Sequence, residues 1–317
     1  MSELTRRGPV VVIGSINMDL VCRVRRMPRS GQTILGSDLA TIPGGKGANQ
    51  AVAAARLGAE VHFIGRVGED DLGQRLLSGL RQHKVNTRHV TITEGVSSGC
   101  ALIMVDGKGE NSIVVAPGAN HKLTPADIDS AADLIGKASI VVMQLEIPHP
   151  TVIHAIEVCR ELGAFTILDP APAPPRGLAK AMFGVDILTP NQSEAEAILP
   201  PRATGRMRRP RSPDAKQIGS ELLERGARCV VLKLGSKGAM IQDRTGFIQH
   251  VRGFKAQVVD TTAAGDAFTG ALAVALSEGR SISDAVLFAN AAGAIATETF
   301  GAQPSLPTRQ AVDQRLR

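Results

Sequence analysis

Short apolar segments alternate with helical patterns through the middle of the 317-residue chain. The apolar segments have the length of buried strands and are Ile140–Gln144, Phe165–Leu168, Ile187–Leu188 and Cys229–Leu232. The helical patterns lie near 124–136, 149–162, 191–199 and 213–226. Strands that are separated by helices pair in parallel, since each connection must return to the same edge of the sheet. The sequence therefore predicts an α/β fold with a doubly wound, mostly parallel sheet flanked by helices.

A different pattern precedes this region. Ser98–Val105 and Asn111–Ala116 are rich in β-forming residues and are joined by the turn Asp106-Gly-Lys-Gly109. Such a turn between two strand patterns is a strong hairpin signal. We therefore expect a small antiparallel β-sheet in addition to the parallel one.

Composition excludes several classes of protein. Hydrophobic residues make up 43% of the chain and charged residues 21%, which indicates a folded core rather than a disordered chain. The chain has no Trp and no Tyr, so the aromatic platforms that bind single-stranded nucleic acid are nearly absent. The net charge of +6 suits an anionic ligand without requiring nucleic acid. A nucleic-acid partner is supported only by the overall basic charge and by the basic segment 200–211, which its prolines and charge predict to be a surface loop. We therefore expect no nucleic-acid partner.

The cysteines and the apolar segments bear on the cellular compartment. Four widely spaced cysteines, with no CxxC pair, make a zinc site or a disulfide framework unexpected; they are Cys22, Cys100, Cys159 and Cys229. The apolar run Val10–Ile13 stops at Gly14, too soon for a signal peptide, and no segment reaches the length of a membrane span. We expect a cytoplasmic protein without a membrane partner.

The segment Asp260-Thr-Thr-Ala-Ala-Gly-Asp266 runs directly into a helical pattern. Small residues let a ligand approach the backbone, and the free N–H groups of a helix start bind anions. A carboxylate at that helix start can take a proton from a hydroxyl, so the segment suits phosphoryl transfer to an alcohol, with Asp266 as the base. The alternative is that Asp266 only caps the helix.

Two polar segments nearer the N-terminus are candidates for ligand binding. Gly44-Gly-Lys-Gly-Ala-Asn49 offers a flexible backbone, a cation and an amide before a helix, although it lacks the Walker A spacing. Asn17 and Asp19 follow the first strand, at the edge where α/β sheets bind ligands. A glycine-rich hinge and an Asx turn are the respective alternatives.

The segment Asn191-Gln-Ser-Glu194 follows another predicted strand. Asn191 and Glu194 share one helix face, and their oxygens suit hydrated Mg²⁺. The alternative is an ordinary capped helix start after Pro190.

Taken together, these segments resemble the ribokinase family of carbohydrate kinases, also called the PfkB family, from Val11 to about Pro307. The resemblance rests on two signatures in order, Gly44–Gly58 and Asp260–Asp266. Four further segments also resemble sequences of the family: Gly14-Ser-Ile-Asn-Met-Asp19, Met143-Gln-Leu-Glu146, Asp169-Pro-Ala-Pro-Ala173 and Gly301-Ala-Gln-Pro-Ser305. It implies one ribokinase-like α/β domain over 1–317, with a lid sub-domain from about 17–42 and 95–115. The implied activity is ATP-dependent phosphorylation of D-ribose at the 5-hydroxyl, giving D-ribose 5-phosphate and ADP.

The resemblance also implies a role for individual residues. Those implied to bind the sugar are Asn17, Asp19, Gly45, Lys46, Asn49, Glu146 and Asp266. Those implied in catalysis are the base Asp266 and the anion hole of backbone N–H groups from Ala263, Ala264 and Gly265. Those implied to bind ATP, with Mg²⁺ held mainly through water, are Asn191, Glu194, Lys233, Gly235, Ser236, Gly238, Gly265 and Asn290. Those implied to hold K⁺ are Asp260, Ser305 and the carbonyls of Thr262, Ala296, Thr299 and Gly301.

Two features depart from the family pattern: Lys233, and the segment 200–211, which is unusually basic for its position. Lys233 stands where a small hydroxyl residue is often found, so its ammonium either assists the phosphates or points outward. The family further implies a homodimer formed through the lids. One alternative is the same reaction with 2-deoxyribose or another small sugar as acceptor. The other is a sugar-binding regulator that does not catalyse a reaction.

Overall fold

A computed structural model describes residues 7–199 and 214–317. Its strands, in chain order, are β1 (Val10–Ile13), β2 (Asn17–Val24), β3 (Gly36–Gly44), β4 (Val61–Gly68), β5 (Val85–Thr93), β6 (Gly99–Val105), β7 (Asn111–Ala116), β8 (Ile140–Met143), β9 (Phe165–Leu168), β10 (Ile187–Leu188), β11 (Cys229–Lys233), β12 (Ala239–Asp243) and β13 (Ile248–Val251). Its helices are α1 (Lys46–Arg56), α2 (Asp71–Gln82), α3 (Pro125–Asp129), α4 (Ala132–Lys137), α5 (His149–Leu162), α6 (Gln192–Ile198), α7 (Ala215–Glu224), α8 (Ala264–Ser277), α9 (Ile282–Ala296), α10 (Ala302–Ser305) and α11 (Arg309–Arg315).

The large sheet has nine strands in the order β13-β12-β11-β10-β9-β8-β1-β4-β5. The strands from β11 to β5 pair in parallel, and β12 and β13 add an antiparallel edge. Successive residues of β1 pack into different cores: Val10 and Val12 join α1, α8 and α9, whereas Val11 and Ile13 join the core that includes α5. Helices on both faces explain why these strands are continuous apolar runs.

The small sheet has four strands in the order β3-β2-β6-β7. Its outer pairs, β2 with β3 and β6 with β7, are antiparallel, and its two central strands run parallel. Asn120 ties this sheet to the large one: its Oδ1 accepts from the Ile16 backbone N–H at 2.9 Å, and its Nδ2 donates to Asn17 Oδ1 at 2.7 Å. The start of β2 is therefore fixed next to the carboxyl end of β1.

The predicted fold class is confirmed by the large, mostly parallel sheet, its flanking helices and the small second sheet. The predicted helix near 124–136 is divided into α3 and α4 by a break at 130–131. None of the described helices is long and apolar enough to cross a bilayer. The predicted loop at 200–211 lies outside the described residues.

Candidate active site

The start of α8 is built as an open backbone site. Ala263 precedes the helix with a φ of 60°, in the left-handed region, and no side chain among the described residues caps the helix. The N–H of Ala264 donates to the Thr261 carbonyl at 3.3 Å. The N–H groups of Ala263 and Gly265 donate to no residue in 7–199 or 214–317. These free donors, at the positive end of the helix dipole, suit an anion.

Asp266 lies in the first turn of α8 and is 6% exposed. Its Oδ2 accepts from Asn49 Nδ2 at 2.9 Å, and its Oδ1 accepts from Gln50 Nε2 at 3.2 Å. Both donors come from α1, so Asp266 does not cap its own helix and that alternative is wrong. Burial raises the pKa of Asp266 to about 6, although the Lys46 charge and the Asn49 hydrogen bond act to lower it. The carboxylate can therefore take up a proton near neutral pH.

A buried ion pair lies beside this carboxylate. Asp169, which follows β9, accepts from Lys233 Nζ at 2.9 Å, and the Lys233 side chain is 11% exposed. The second oxygen of Asp169 accepts from Gln50 Nε2 at 3.1 Å and from Thr269 Oγ1 at 3.3 Å. Gln50 thus connects Asp169 to Asp266 through one amide group.

A second cluster forms where β2 begins, around Glu146. Glu146 Oε2 accepts from Ser15 Oγ at 2.5 Å, from the backbone N–H of Lys46 at 3.1 Å and from Asn17 Nδ2 at 3.5 Å. A Cβ on Gly45, whose φ is 87°, would stand 2.6 Å from the backbone nitrogen of Asn17. This close approach of backbone segments brings the glycine-rich segment and the first two strands to one place.

Asp19 lies on β2 and is 9% exposed, so it is not in an Asx turn. Its carboxyl faces Gly44, where an added Cβ would stand 2.3 Å from Asp19 Oδ2. No donor within the described ranges bonds to this carboxyl. Burial and the charges of Glu146 and Asp266 raise the pKa of Asp19 to about 7.

The Lys46 ammonium is the cation common to these groups. Burial acts against its charge, but the surrounding carboxylates outweigh burial and raise the pKa of Lys46 above its usual value. Those carboxylates, in order of effect, belong to Asp266, Glu146, Asp169 and Glu194. Lys46 is therefore charged at neutral pH and faces both clusters.

Asn191 and Glu194 form a capping box at the start of α6. Asn191 Oδ1 accepts from the Glu194 N–H at 2.8 Å, and Glu194 Oε2 accepts from the Asn191 N–H at 2.7 Å. The capped helix start is thus confirmed. Glu194 also raises the pKa of Lys46, so its negative charge acts on the same ammonium as the charges of Asp266 and Glu146. Its Oε1 forms no hydrogen bond with the part of the chain that the structure describes.

The loop after β11 contains the other predicted nucleotide-binding residues. Gly235 and Gly238 have φ values of 59° and 94°, and Ser236 is exposed between them. Asn290 on α9 donates through Nδ2 to the carbonyls of Val251 and Arg252, so the end of β13, against which Gly238 packs, is joined to α9. The loop residues follow Lys233 in the chain, and neither they nor Asn290 donate to Asp266, whose described donors are Asn49 and Gln50.

Four of the six predicted cation-binding residues lie on two loops that are tied together, whereas Ala296 ends α9 and Ser305 ends α10. Asp260 Oδ1 accepts from the N–H and Oγ1 of Thr262, and its Oδ2 accepts from the Gly301 N–H at 2.9 Å. Partial burial opposes the charge on Asp260, but these hydrogen bonds outweigh it and hold the pKa below its usual value. Ser305 Oγ is occupied by the Ala302 carbonyl at 2.8 Å.

Comparison with known proteins assigns the family. Residues 8–309 match the model of the pfkB family carbohydrate kinases. Ribokinases of Bacillus subtilis (strain 168) and Haemophilus influenzae are 39% and 37% identical over 97% and 96% of this chain, and over 99% and 97% of their own lengths. The solved structure of Arabidopsis thaliana ribokinase complexed with ribose and ATP is similar, with a TM-score of 0.87 and 32% identity over 98% of this chain and 99% of that one. The chain belongs to the pfkB family of carbohydrate kinases.

For this pfkB family member, the resemblance given by the sequence is confirmed. The structure brings most of the predicted sugar and catalytic residues to one region, between the start of α8, the start of α1 and the first residues of β2. We call this region the cleft. Sequence reasoning gave no role to Ser15, Gln50, Asn120 and Asp169. Ser15, Gln50 and Asp169 lie inside segments that the sequence analysis had already selected, so their position next to assigned residues could have indicated a role, whereas no such signal exists for Asn120.

Proposed function

We propose that this protein is a kinase that transfers the γ-phosphoryl group of ATP to the 5-hydroxyl of D-ribose. One observation carries the proposal: a buried carboxylate, Asp266, lies in the first turn of an uncapped helix and beside a cluster of polar side chains from β2 and α1. A base next to an anion site is what phosphoryl transfer to an alcohol requires. The ribokinase relatives, and the relative that binds ribose and ATP, support ribose as acceptor.

In the proposed step, the 5-oxygen of ribose attacks the γ-phosphorus while Asp266 takes the hydroxyl proton. A new P–O bond forms, and the bond between the γ-phosphorus and the bridging oxygen breaks with its electron pair going to ADP. The free N–H groups of Ala263 and Gly265 stabilise the charge on the moving phosphoryl group. The hydrogen bonds from Asn49 and Gln50 hold the base in position for this transfer.

The remaining predicted residues are assigned to the two ends of the cleft. Sugar hydroxyls would bind Asp19 and Asn17, together with the Glu146 oxygen that accepts none of the described bonds. The buried, unpartnered Oδ1 of Asn49 offers a further acceptor. ATP would lie along the Gly235–Gly238 loop toward α8, and Asn290 would support the edge of the adenine site.

Two cations fit the donor atoms that are available. Glu194 presents a carboxylate oxygen beside the Lys46 charge and Asn191 fixes its helix, which suits hydrated Mg²⁺ that neutralises phosphate charge. Asp260 remains ionised between two loops whose carbonyls, at Thr262 and Thr299, accept no hydrogen bond from described residues. This set of hard oxygens suits K⁺, which would hold the Asp260–Gly265 loop in place.

We further assign the small sheet as a lid over the sugar and as a dimer interface. Asn17 and Asp19 belong to this sheet, so its position determines how the sugar site closes. The register places Leu39, Leu102 and Val114 on the face opposite Asp19, and all three are more than half exposed. Exposed apolar side chains that share a face favour a second copy of the chain as partner.

The test is an ADP-release assay on the full chain with ATP and Mg²⁺, over D-ribose, 2-deoxy-D-ribose, D-fructose and adenosine. We expect kcat/KM for ribose to exceed that for 2-deoxyribose at least ~10-fold, since a buried acceptor loses its partner when a hydroxyl is missing. Replacing K⁺ by tetramethylammonium should lower the rate. The Asp266→Ala variant controls for contaminating kinases. Ribose binding without ADP release would support the regulator instead.

A further inference from the structure

Lys233 is a charged residue whose role in the reaction the sequence leaves open. It is the last residue of β11, and its backbone N–H donates to the Pro190 carbonyl at 2.8 Å. This bond fixes the residue beside the start of α6, at the carboxyl edge of the sheet. The side chain is 11% exposed, so it points into the protein rather than into solvent.

The Lys233 ammonium lies directly at the start of α8. Its Nζ stands 3.5 Å from the position that a Cβ on Gly265 would occupy. Apart from the neighbours of Gly265 and its own helix, no other described atom lies within 4 Å of that position. The ammonium therefore lies close to Gly265, whose backbone N–H donates to none of the described residues.

Asp169 holds the ammonium in this place. It accepts from Nζ at 2.9 Å and is itself fixed by Gln50 and Thr269. A lysine ammonium has three N–H groups, and among the described residues only one is used, so two remain for a ligand.

We infer that Lys233 is a catalytic residue that binds the transferred phosphoryl group, with Asp169 as its positioning residue. The inference rests on the proposed kinase function. Lys233 transfers no proton in the proposed step: the sugar proton goes to Asp266, and the electron pair of the broken P–O bond goes to ADP. The ammonium stabilises negative charge on the oxygens of the moving group, together with the Gly265 N–H.

The test uses Lys233→Met, with Lys216→Met on the exposed surface of α7 as a matched control. We expect Lys233→Met to lower kcat about 100-fold, the scale for losing one preorganised donor, with less than ~3-fold change in the KM for ribose. Binding of ADP should change little. Binding of ADP with fluoroaluminate and ribose, which mimics the group in transfer, should weaken by a similar ~100-fold.

A double variant separates catalysis from structure. Lys233→Met alone leaves Asp169 buried without its counter-ion, which destabilises the fold. Lys233→Met with Asp169→Asn removes both charges and should recover the melting temperature while kcat stays low. Recovery of kcat in the double variant, or equal weakening of ADP and its fluoroaluminate complex, would overturn the inference. Wild-type turnover of ribose tests the kinase function separately, since its failure does not depend on Lys233.

Discussion

The two carboxyl groups Asp266 and Asp19 lie in the same cleft, and both have a raised pKa for which burial is the first cause. Their surroundings differ. Asp266 accepts one hydrogen bond on each oxygen, from Asn49 and Gln50. Asp19 faces the backbone of Gly44 and accepts none from the described residues. Asp266 is thus oriented before any ligand arrives, whereas Asp19 lacks the donors that its charge requires.

The difference separates two tasks. A base for proton transfer must already be oriented, because reorienting it during the reaction adds to the barrier. A sugar-binding carboxylate can stay unpaired until the sugar hydroxyls arrive, and their hydrogen bonds then repay its burial. The comparison therefore predicts that Asp266 governs kcat and that Asp19 governs sugar affinity.

The largest expected effect is that of Asp266→Asn. Without a base in the first turn of α8, kcat should fall by about 10²–10⁴ while ribose still binds. Steady-state kinetics and calorimetric titration of ribose check the two quantities. Asp133→Asn, on the exposed side of α4, is the matched control. A variant that loses sugar binding but keeps kcat would reverse the roles assigned to the two carboxyls.

A smaller effect is expected for Asp19→Asn. The KM for ribose should rise on the order of 10-fold, since an amide replaces a charged hydrogen-bond acceptor, with a smaller change in kcat. The pH profile sharpens the test. In the wild type, kcat/KM should rise with pH through about 6, as Asp266 ionises, and again through about 7, as Asp19 ionises. The variant should retain only the lower step, and an unchanged profile would contradict the assignment.

The smallest effect concerns stability without ligand. The folded-state pKa of Asp19 is raised to about 7 from 3.8, so its ionisation destabilises the fold increasingly as pH rises between these values, and constantly above about 7. Asp19→Asn removes this penalty and should melt higher at pH 8 than the wild type, by about 2–4 °C for each kcal/mol recovered.

Asp266→Asn provides the contrast in the same melting experiment. It also removes a buried charge, but its amide group faces the donors Asn49 and Gln50, and one of them loses its acceptor. We expect a smaller gain or a loss of stability. If both variants melted alike at pH 8, the distinction between a preorganised and an unpartnered carboxyl would fail.

Much of this architecture could be predicted from local sequence. The runs Val10–Ile13, Phe165–Leu168 and Ile187–Leu188 match strands residue for residue, because helices cover both faces and the strands are therefore almost entirely apolar. The helix at 149–162 is also matched, where Pro148 precedes it and Gly163 ends it in the left-handed region.

The connections within the cleft could not be predicted in the same way. Gln50 is separated from Asp266 by 216 positions and from Asp169 by 119, and no periodicity relates them. β3, at 36–44, was not predicted as a strand, because four of its nine residues are exposed, four are half-buried and the pattern lacks strict alternation. The direction of Lys233 depends on a partner 64 residues away, so only a three-dimensional structure can decide it.

Ala263 is in the left-handed region and no described side chain caps α8, so the start of this helix has unsatisfied N–H groups, although most of the helix is buried among apolar side chains. Its first turn gives up hydrogen bonds that an ordinary capping residue would supply. A bound phosphate would accept hydrogen bonds from that turn, so binding of the phosphate and ordering of the helix start would stabilise each other. The nucleotide concentration would then determine the stability of the folded chain as well as its rate of turnover.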